Sequence, residues 1–411
     1  MIRWRLTIAA ALAAGLVGPG AHAQGLHGRL AVTDEASADA HDSLAGALGE
    51  RRRNDAALDL RLTWARRAGP WDFALDYELT GRAGPGVALA RAEAGLFAPP
   101  PATWLDLTGT IADRRRQSLT QKIDRLSVGY AADKLVVRLG RQAITWGAGQ
   151  VFRPMDLIDP FAPEAVDTDY KPGIDLAYAQ WLFDDGSDLQ VIAAPRPARR
   201  GGAVTADAST FALHWHGRIG GLGTTAMAAR DRGDWTAALG LSGALGGAVW
   251  NLEAVPTWEA DGGVRTSALA NISNAVTLAG RNATVFAEYF HNGFGVGDDR
   301  PLDALPNGLS DRLSRGQLFN TGRDYLAAGL TLEWTPLVTL TPVVIANLSD
   351  GGAYLAGDVD WSLSDNAVLK LGARVPVGRD GSEYGGRAVG AGSPLRFAPP
   401  ASAYVQLRRY F

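Results

Sequence analysis

The chain has 411 residues, a formal charge of −3 and no cysteine. The missing cysteine excludes disulfides, thiolate nucleophiles and zinc–thiolate sites. The faintly acidic balance argues against nucleic acid, which calls for a basic face.

In chain order, the first 23 residues read as a signal peptide. Arg3 and Arg5 are followed by an apolar core, "LTIAAALAAGLVG", and a small-x-small site, Ala21–Ala23. The core is shorter than the roughly 20 residues that span a bilayer, which disfavours a membrane anchor. The exported chain is expected over 24–411, with the acidic balance increased by loss of the two arginines.

Beyond this leader one period recurs. Leu58, Leu60, Leu62 and Trp64 alternate with Asp59, Arg61 and Thr63; Trp71, Phe73, Leu75, Tyr77 and Leu79 alternate with Asp72, Asp76 and Glu78. Residues 86–97, "GVALARAEAGLF", are read as a further strand, with 98–103 as its turn. Leu135, Val137 and Leu139 oppose Arg138 and Gln142. Phe211, Leu213 and Trp215 oppose Thr210, His214 and His216. Leu326 to Trp334 and Leu355 to Leu363 repeat the pattern. A period of two puts an apolar face and a polar face on each strand.

A soluble sandwich also alternates, so three further features decide. The runs are about 9–11 residues long, the length of a tilted membrane-spanning strand. Aromatics close many of them, so Trp64, Trp71, Trp146, Trp215, Trp334 and Trp361 are expected at the membrane interfaces. Short turns (67–70, 131–134, 184–188, 220–223, 335–338, 364–367) contrast with long loops near 34–54, 146–172, 293–322 and 378–397, which counting places on one side. The expected fold is all-β, a transmembrane antiparallel barrel of about 18 strands (16–20). Weak runs at 223–231 and 264–273 leave open a merger. Closure follows from the solvent, because hydrocarbon offers no partner to an open sheet edge.

The ending "AYVQLRRYF" resembles the last strand by which outer-membrane barrels are recognised for assembly, with Phe411 as the signal and the barrel assembly machinery as partner. Arg409 departs from that pattern, standing where an apolar residue is usual.

The stretch "LGRQAITWGAGQVFRPMDLIDPF" (139–161) runs from a strand into a long loop rich in apolar residues. Such a loop either folds inward as a constriction or packs outside on its neighbours, and sequence leaves both open. The block "DRLSVGY" (124–130), "RLGRQAITWGAGQVFRPMDLIDPF" and "DTDYKPGID" (167–175) resembles bacterial porin-like outer-membrane proteins, including alginate-export and other substrate-selective porins. The resemblance covers about 50 of 411 residues. It implies passive passage across the outer membrane and makes Arg138, Arg141 and Gln142 pore-lining candidates. Arg153, Asp156 and Asp159 are candidates from the loop. Arg141 shares the parity of Leu139, so it requires a bulge or a place at the rim.

The polar parity supplies both signs: Asp59, Asp72, Asp76, Glu78, Asp106, Asp175, Glu253, Glu333, Asp358 and Asp360 with Arg61, Arg125, Arg138, Lys370 and Arg374. The final hairpin sets Asp358 and Asp360 beside Lys370 and Arg374. Ladders of ion pairs and a segregation of charge by side remain alternatives. Arginine-rich segments 50–55, 113–117 and 196–200 fall on the long-loop side, as solvated loops, as lipopolysaccharide contacts or as collectors of anionic solutes.

Catalytic patterns are thin. His214 and His216 share a face without further ligands. His291 and Asn292, in a stretch that faintly resembles outer-membrane phospholipases, lack the serine such a site needs. No enzyme activity, metal or cofactor is expected. The reading is an outer-membrane channel, monomeric or trimeric, in contact with lipid and lipopolysaccharide and passing small hydrophilic solutes. A non-conducting barrel that scaffolds or exports an envelope polymer with partners is the alternative, and a barrel hydrolase a distant third.

Overall fold

A computed structural model describes residues 25–94, 102–163 and 169–411. The expected signal peptide lies outside these residues, as does most of the expected turn at 98–103.

Eighteen strands close one antiparallel barrel. They are β1 (Leu26–Ala38), β2 (Arg52–Ala68), β3 (Trp71–Ala83), β5 (Gln117–Ala131), β6 (Leu135–Gln142), β7 (Ile174–Leu182), β8 (Asp188–Ala194), β9 (Thr210–Ile219) and β10 (Leu222–Asp231). There follow β11 (Asp234–Leu245), β12 (Ala248–Trp258), β13 (Val264–Leu278), β14 (Arg281–His291), β15 (Asp324–Thr335), β16 (Val338–Asn347), β17 (Ala353–Ser364), β18 (Ala367–Val377) and β21 (Ala401–Tyr410). β21 pairs with both β18 and β1, and the ring is complete. The weak runs are therefore separate strands, β10 and β13.

Three strands stand apart from the wall count. β4 (Thr108–Arg114) adds to the upper edge of β5, beyond the part that β6 covers. β19 (Arg387–Ala388) and β20 (Arg396–Phe397) make a small ribbon in the last long loop.

One expected strand is corrected. Pro85–Ala94, which overlaps the expected strand 86–97, is a helix, α2; α1 (Leu44–Ala47) precedes it and α3 (Asn307–Ser314) follows later. The residues of α2 are mostly Ala, Leu, Arg and Glu, strong helix formers, and proline is at home in a first turn. The long loops still share one end of the barrel, because β3 joins β5 through 84–116 and β4 is not a crossing strand.

At the opposite end the turns are short, and glycine makes several possible. Gly246–Gly247 and Ala279–Gly280 are two-residue connections with positive φ at both positions. Such turns match the twist of the flanking strands.

The two faces of the wall are inverted relative to a soluble protein. Leu213, Leu239, Leu252, Leu355 and Val405 are 40–50% exposed, whereas Arg29, Arg61, Asp76, Glu253 and Glu288 are buried inside the ring. An apolar exterior around a polar interior is the arrangement of a transmembrane barrel. No described helix is long and apolar enough to cross a membrane.

Five of the six expected interface tryptophans sit on or near the outer face close to the short turns. Trp71 meets Tyr130 edge-on with centroids 5.0 Å apart, and Arg281 lies 4.0 Å over Trp334. Trp361 is exposed; Trp64 and Trp215 are half-buried. Trp146 is the exception: it is 4% exposed and packs in an interior cluster with Met155, Ile158 and Ile192. The loop it begins turns into the barrel, so the indole meets protein and not lipid. Phe411 is half exposed and exchanges backbone hydrogen bonds with Gly28 at 2.7 and 2.9 Å.

Candidate functional site

The described residues of the segment joining β6 to β7, 143–163 and 169–173, leave the wall and lie in the interior. Its apolar side chains are what fold it there. Trp146, Met155 and Ile158 pack on Ile174, Leu176, Ile192, Ala212, Met227 and Val255, inner-face residues of β7 to β12. Phe152 packs on Leu269, Phe290 and Tyr325 of β13 to β15, with its ring 4.7 Å from that of Phe290.

Polar contacts pin the same segment to the far wall. Glu288 on β14 accepts from the amides of Gln150 (2.6 Å), Val151 (3.0 Å) and Phe152 (2.8 Å). Asn271 donates to that carboxylate at 3.0 Å and to the Ala148 carbonyl at 2.9 Å. Glu253 accepts from the Ala148 amide. A single carboxylate thus satisfies three consecutive loop amides, of which that of the buried Phe152 is withdrawn from water, and this holds the turn at 150–152 in place.

Within the loop, Lys171 Nζ binds Asp156 at 2.5 Å and donates to the Ile144 carbonyl. Both groups are deeply buried. Desolvation drives the Asp156 carboxyl up to about 6 although the Lys171 ammonium opposes it, and burial draws Lys171 below its ordinary value.

The loop returns along the first strands. Asp169 accepts from Arg29 (2.8 Å), and from Arg408 and Tyr410 at 3.3 Å each. The Tyr170 ring lies under two guanidiniums, 4.3 Å from that of Arg61 and 4.9 Å from that of Arg29. Tyr410, Arg29, Arg61, Glu78 and Lys122 face one another in successive register across β21, β1, β2, β3 and β5. Arg61 is the hub of this row, bonded to Glu78 at 2.6 Å, to Asp124 at 2.9 Å and, more loosely, to Asp76 at 3.5 Å. A bulge between Asp76 and Tyr77 leaves Asp124 as the extra residue on β5, so it and Arg125 pair side by side at 2.6 Å.

Two cavities remain beside this row. One of about 700 Å³ is lined by residues that include Thr63, Asp72, Asp76, Arg125, Ser127 and Arg138; the other, of about 370 Å³, includes Glu78, Thr80, Thr120 and Lys122.

The residues singled out from sequence are placed as follows. Arg138 and Gln142 line the larger cavity, and Arg138 reaches Asp72 at 3.2 Å. Arg141 lines neither cavity. It is buried against Asp175 directly across on β7, with both contacts at 2.9 Å, and donates to the carbonyls of Leu105 and Ile123. It braces the rim, beside Gly140 with its φ of +114°. Arg153 is half-buried, with its guanidinium 5.8 Å from the Phe161 ring; Asp159 takes a φ of +44°. Asp358 binds Lys370 (3.3 Å) and Arg374 (2.8 Å) and accepts from Tyr404, and Asp360 stands opposite Lys370. Asp106 is not a wall residue: it is exposed in the segment before β4, paired with Arg200.

His214 is buried with neither ring nitrogen hydrogen-bonded, and His216 lies 3.4 Å from Asp188. His291 binds Asp324 at 2.7 Å. Among the described residues no group of three His, Asp or Glu is placed to hold a metal ion.

Sequence reading missed Glu288, Asn271, Asp169 and Tyr170 as interior contacts. Glu288 shares its parity with Phe286 and Phe290, so no run of polar residues marks that face in the linear pattern.

No family model and no curated protein matches the sequence. The structure is similar to solved outer-membrane barrels. OccAB1 of Acinetobacter baumannii aligns with a TM-score of 0.53 at 10% identity, over 96% of this chain and 99% of that one. A BenF-like porin from Pseudomonas fluorescens Pf-5 aligns with a TM-score of 0.54 at 11% identity, over 94% and 98%. Wzi of Escherichia coli, described as a carbohydrate-binding β-barrel involved in group 1 capsule assembly, gives 0.52 at 10% identity, over 93% and 83%. Identities this low speak for architecture and single out no subfamily. The chain has the 18-stranded β-barrel fold of outer-membrane porins.

Proposed function

We propose that the protein is a bacterial outer-membrane channel through which small hydrophilic solutes diffuse passively, narrowed by its 143–173 loop. The observation that carries this reading is the course of the loop. It lies in the interior, fixed to the far wall by Glu288, and leaves open space lined by both signs of charge. Polar walls around such a space suit hydrophilic solutes, and a narrowed cross-section limits their size. In this reading residues 1–23 are removed on export, lipid covers the apolar exterior, and the arginine-rich segments on the long-loop side meet lipopolysaccharide.

Conductance of the purified full-length protein in planar lipid bilayers tests the reading. Discrete ion-passing steps that grow when residues 150–165 are deleted support it. Silence of both forms overturns it.

A second reading, a non-conducting barrel that handles an envelope polymer, is favoured by how much of the interior the loop fills and by the likeness to Wzi. Silence in bilayers together with binding of a soluble polysaccharide would select it.

A further inference from the structure

The described residues of loop 143–173 do not fill the interior evenly. Its apolar contacts run along the inner faces of β7 to β17. On the side of β2, β3 and β5 it touches the wall through the Lys171 carbonyl, the Gly173 amide and the Tyr170 ring. The two cavities lie on this less occupied side, one towards the short turns and one towards the long loops.

They also abut. Along β3, Asp76 belongs to the larger cavity and Glu78 to the smaller. These are successive inward positions, about 7 Å apart on an extended strand. The Arg61 guanidinium bonds both carboxylates and also Asp124, and Tyr170 covers it from the loop. Where the chambers meet, Arg61 is therefore the central cation of a cluster that holds its three acidic partners and, at its two sides, Lys122 and Arg125.

Resting on the channel reading, we infer that the solute path runs along the β2–β3–β5–β6 side through these two chambers, and that Arg61 is the residue between them that sets which ions pass. With Arg61 in place the three carboxylates are largely neutralised where the chambers meet. Without it, Asp76, Glu78 and Asp124 keep only Lys122 and Arg125 as cationic partners, and the local excess of negative charge attracts cations and repels anions. Because Tyr170 rests on Arg61, movement of the loop's end also changes access to this point.

The absence of native cysteine allows a direct test. Single cysteines replace Thr120 in the smaller chamber, Ser127 in the larger one, and Ser242 on β11 away from both. Each full-length variant is treated in a planar bilayer with 2-(trimethylammonium)ethyl methanethiosulfonate. Loss of most of the current in Thr120→Cys and Ser127→Cys, with Ser242→Cys little affected, is the expected result. Conducting channels that lose current only at Ser242, or at neither chamber, overturn the route while leaving the channel reading standing. A silent wild-type protein removes both.

Arg61→Gln supplies a second measurement. In a potassium chloride gradient its reversal potential is expected to shift towards cation preference, with Lys370→Gln, on the β18 side, shifting less. An unchanged reversal potential in Arg61→Gln overturns the assignment of Arg61. Should that variant fail to fold, the cysteine series decides the route alone.

Discussion

The Trp146 indole lies face to face with the His214 imidazole, ring centroids 4.8 Å apart and planes within 2° of each other. The indole N–H donates to Gln190 at 2.9 Å, so this stack ties the first turn of the inward loop to β8 and β9. Trp146→Ala removes a large buried ring, a change that costs about 3–5 kcal/mol where the site does not collapse. The loop is expected to become a protease target between 143 and 173 while circular dichroism of the barrel stays the same. Trp146→Phe keeps an aromatic face without the bond to Gln190 and falls between the two.

Glu288 gives the sharpest mutational expectation. Replacing it with alanine strips the acceptor from the amides of Gln150, Val151 and Phe152. A buried amide without a partner costs about 1–3 kcal/mol, a penalty that falls on the buried Phe152 in full and on its two more exposed neighbours in part. Glu288→Ala is expected to give larger and noisier conductance steps than the wild type. Steps of unchanged size and noise would mean that the loop is held elsewhere.

Asp156 predicts a dependence on pH. Its carboxyl is raised to about 6 from an ordinary value of 3.8, chiefly by burial. A raised acid favours the seated loop when protonated, so its contribution is full below about 3.8 and is lost as pH rises through about 6. Two units correspond to about 3 kcal/mol of differential interaction. Loop-dependent current noise is therefore expected to increase between pH 4.5 and 7 in the wild type, and to change less in Asp156→Asn. Identical pH profiles for the two would remove this assignment.

The outer face offers a test that involves no channel. Leu239 stands midway along β11 and is 50% exposed. If lipid covers it, Leu239→Arg costs about 2–4 kcal/mol near the bilayer midplane. Equilibrium folding into phospholipid vesicles measures the loss, and an unaffected variant would argue that this face is wet.

The wall was largely legible in the sequence wherever lipid and water lie on opposite sides of a strand. In β3, Trp71, Phe73 and Leu75 are exposed outward while Asp76 is buried within, as their spacing says. The reading failed where protein replaces one of the two solvents. Trp146 has the amphipathic ring of an interface residue, but the apolar loop behind it provides another hydrophobic environment, and only tertiary packing chooses between them. Glu288 is flanked on its own face by Phe286 and Phe290, because that inner wall is built to receive Phe152. Residues 86–97 failed for a different reason. Val87 and Leu89 alternate with small residues, but alanine supplies no face, and helix propensity decided the outcome. Arg61 was placed inward by parity, yet its three acidic partners come from β3 and a bulged β5, a coincidence of register that a linear pattern does not carry.

The contacts that seat the inward loop span most of the chain: Phe152 meets a residue 136 positions later, and Asp169 one 241 positions later. Such remote partners exist only after the ring has been zipped shut, since the entropy of joining distant segments must be met first. Final seating of the loop is therefore expected to follow the joining of the wall strands, with a wider bore in any copy whose interior has not yet settled.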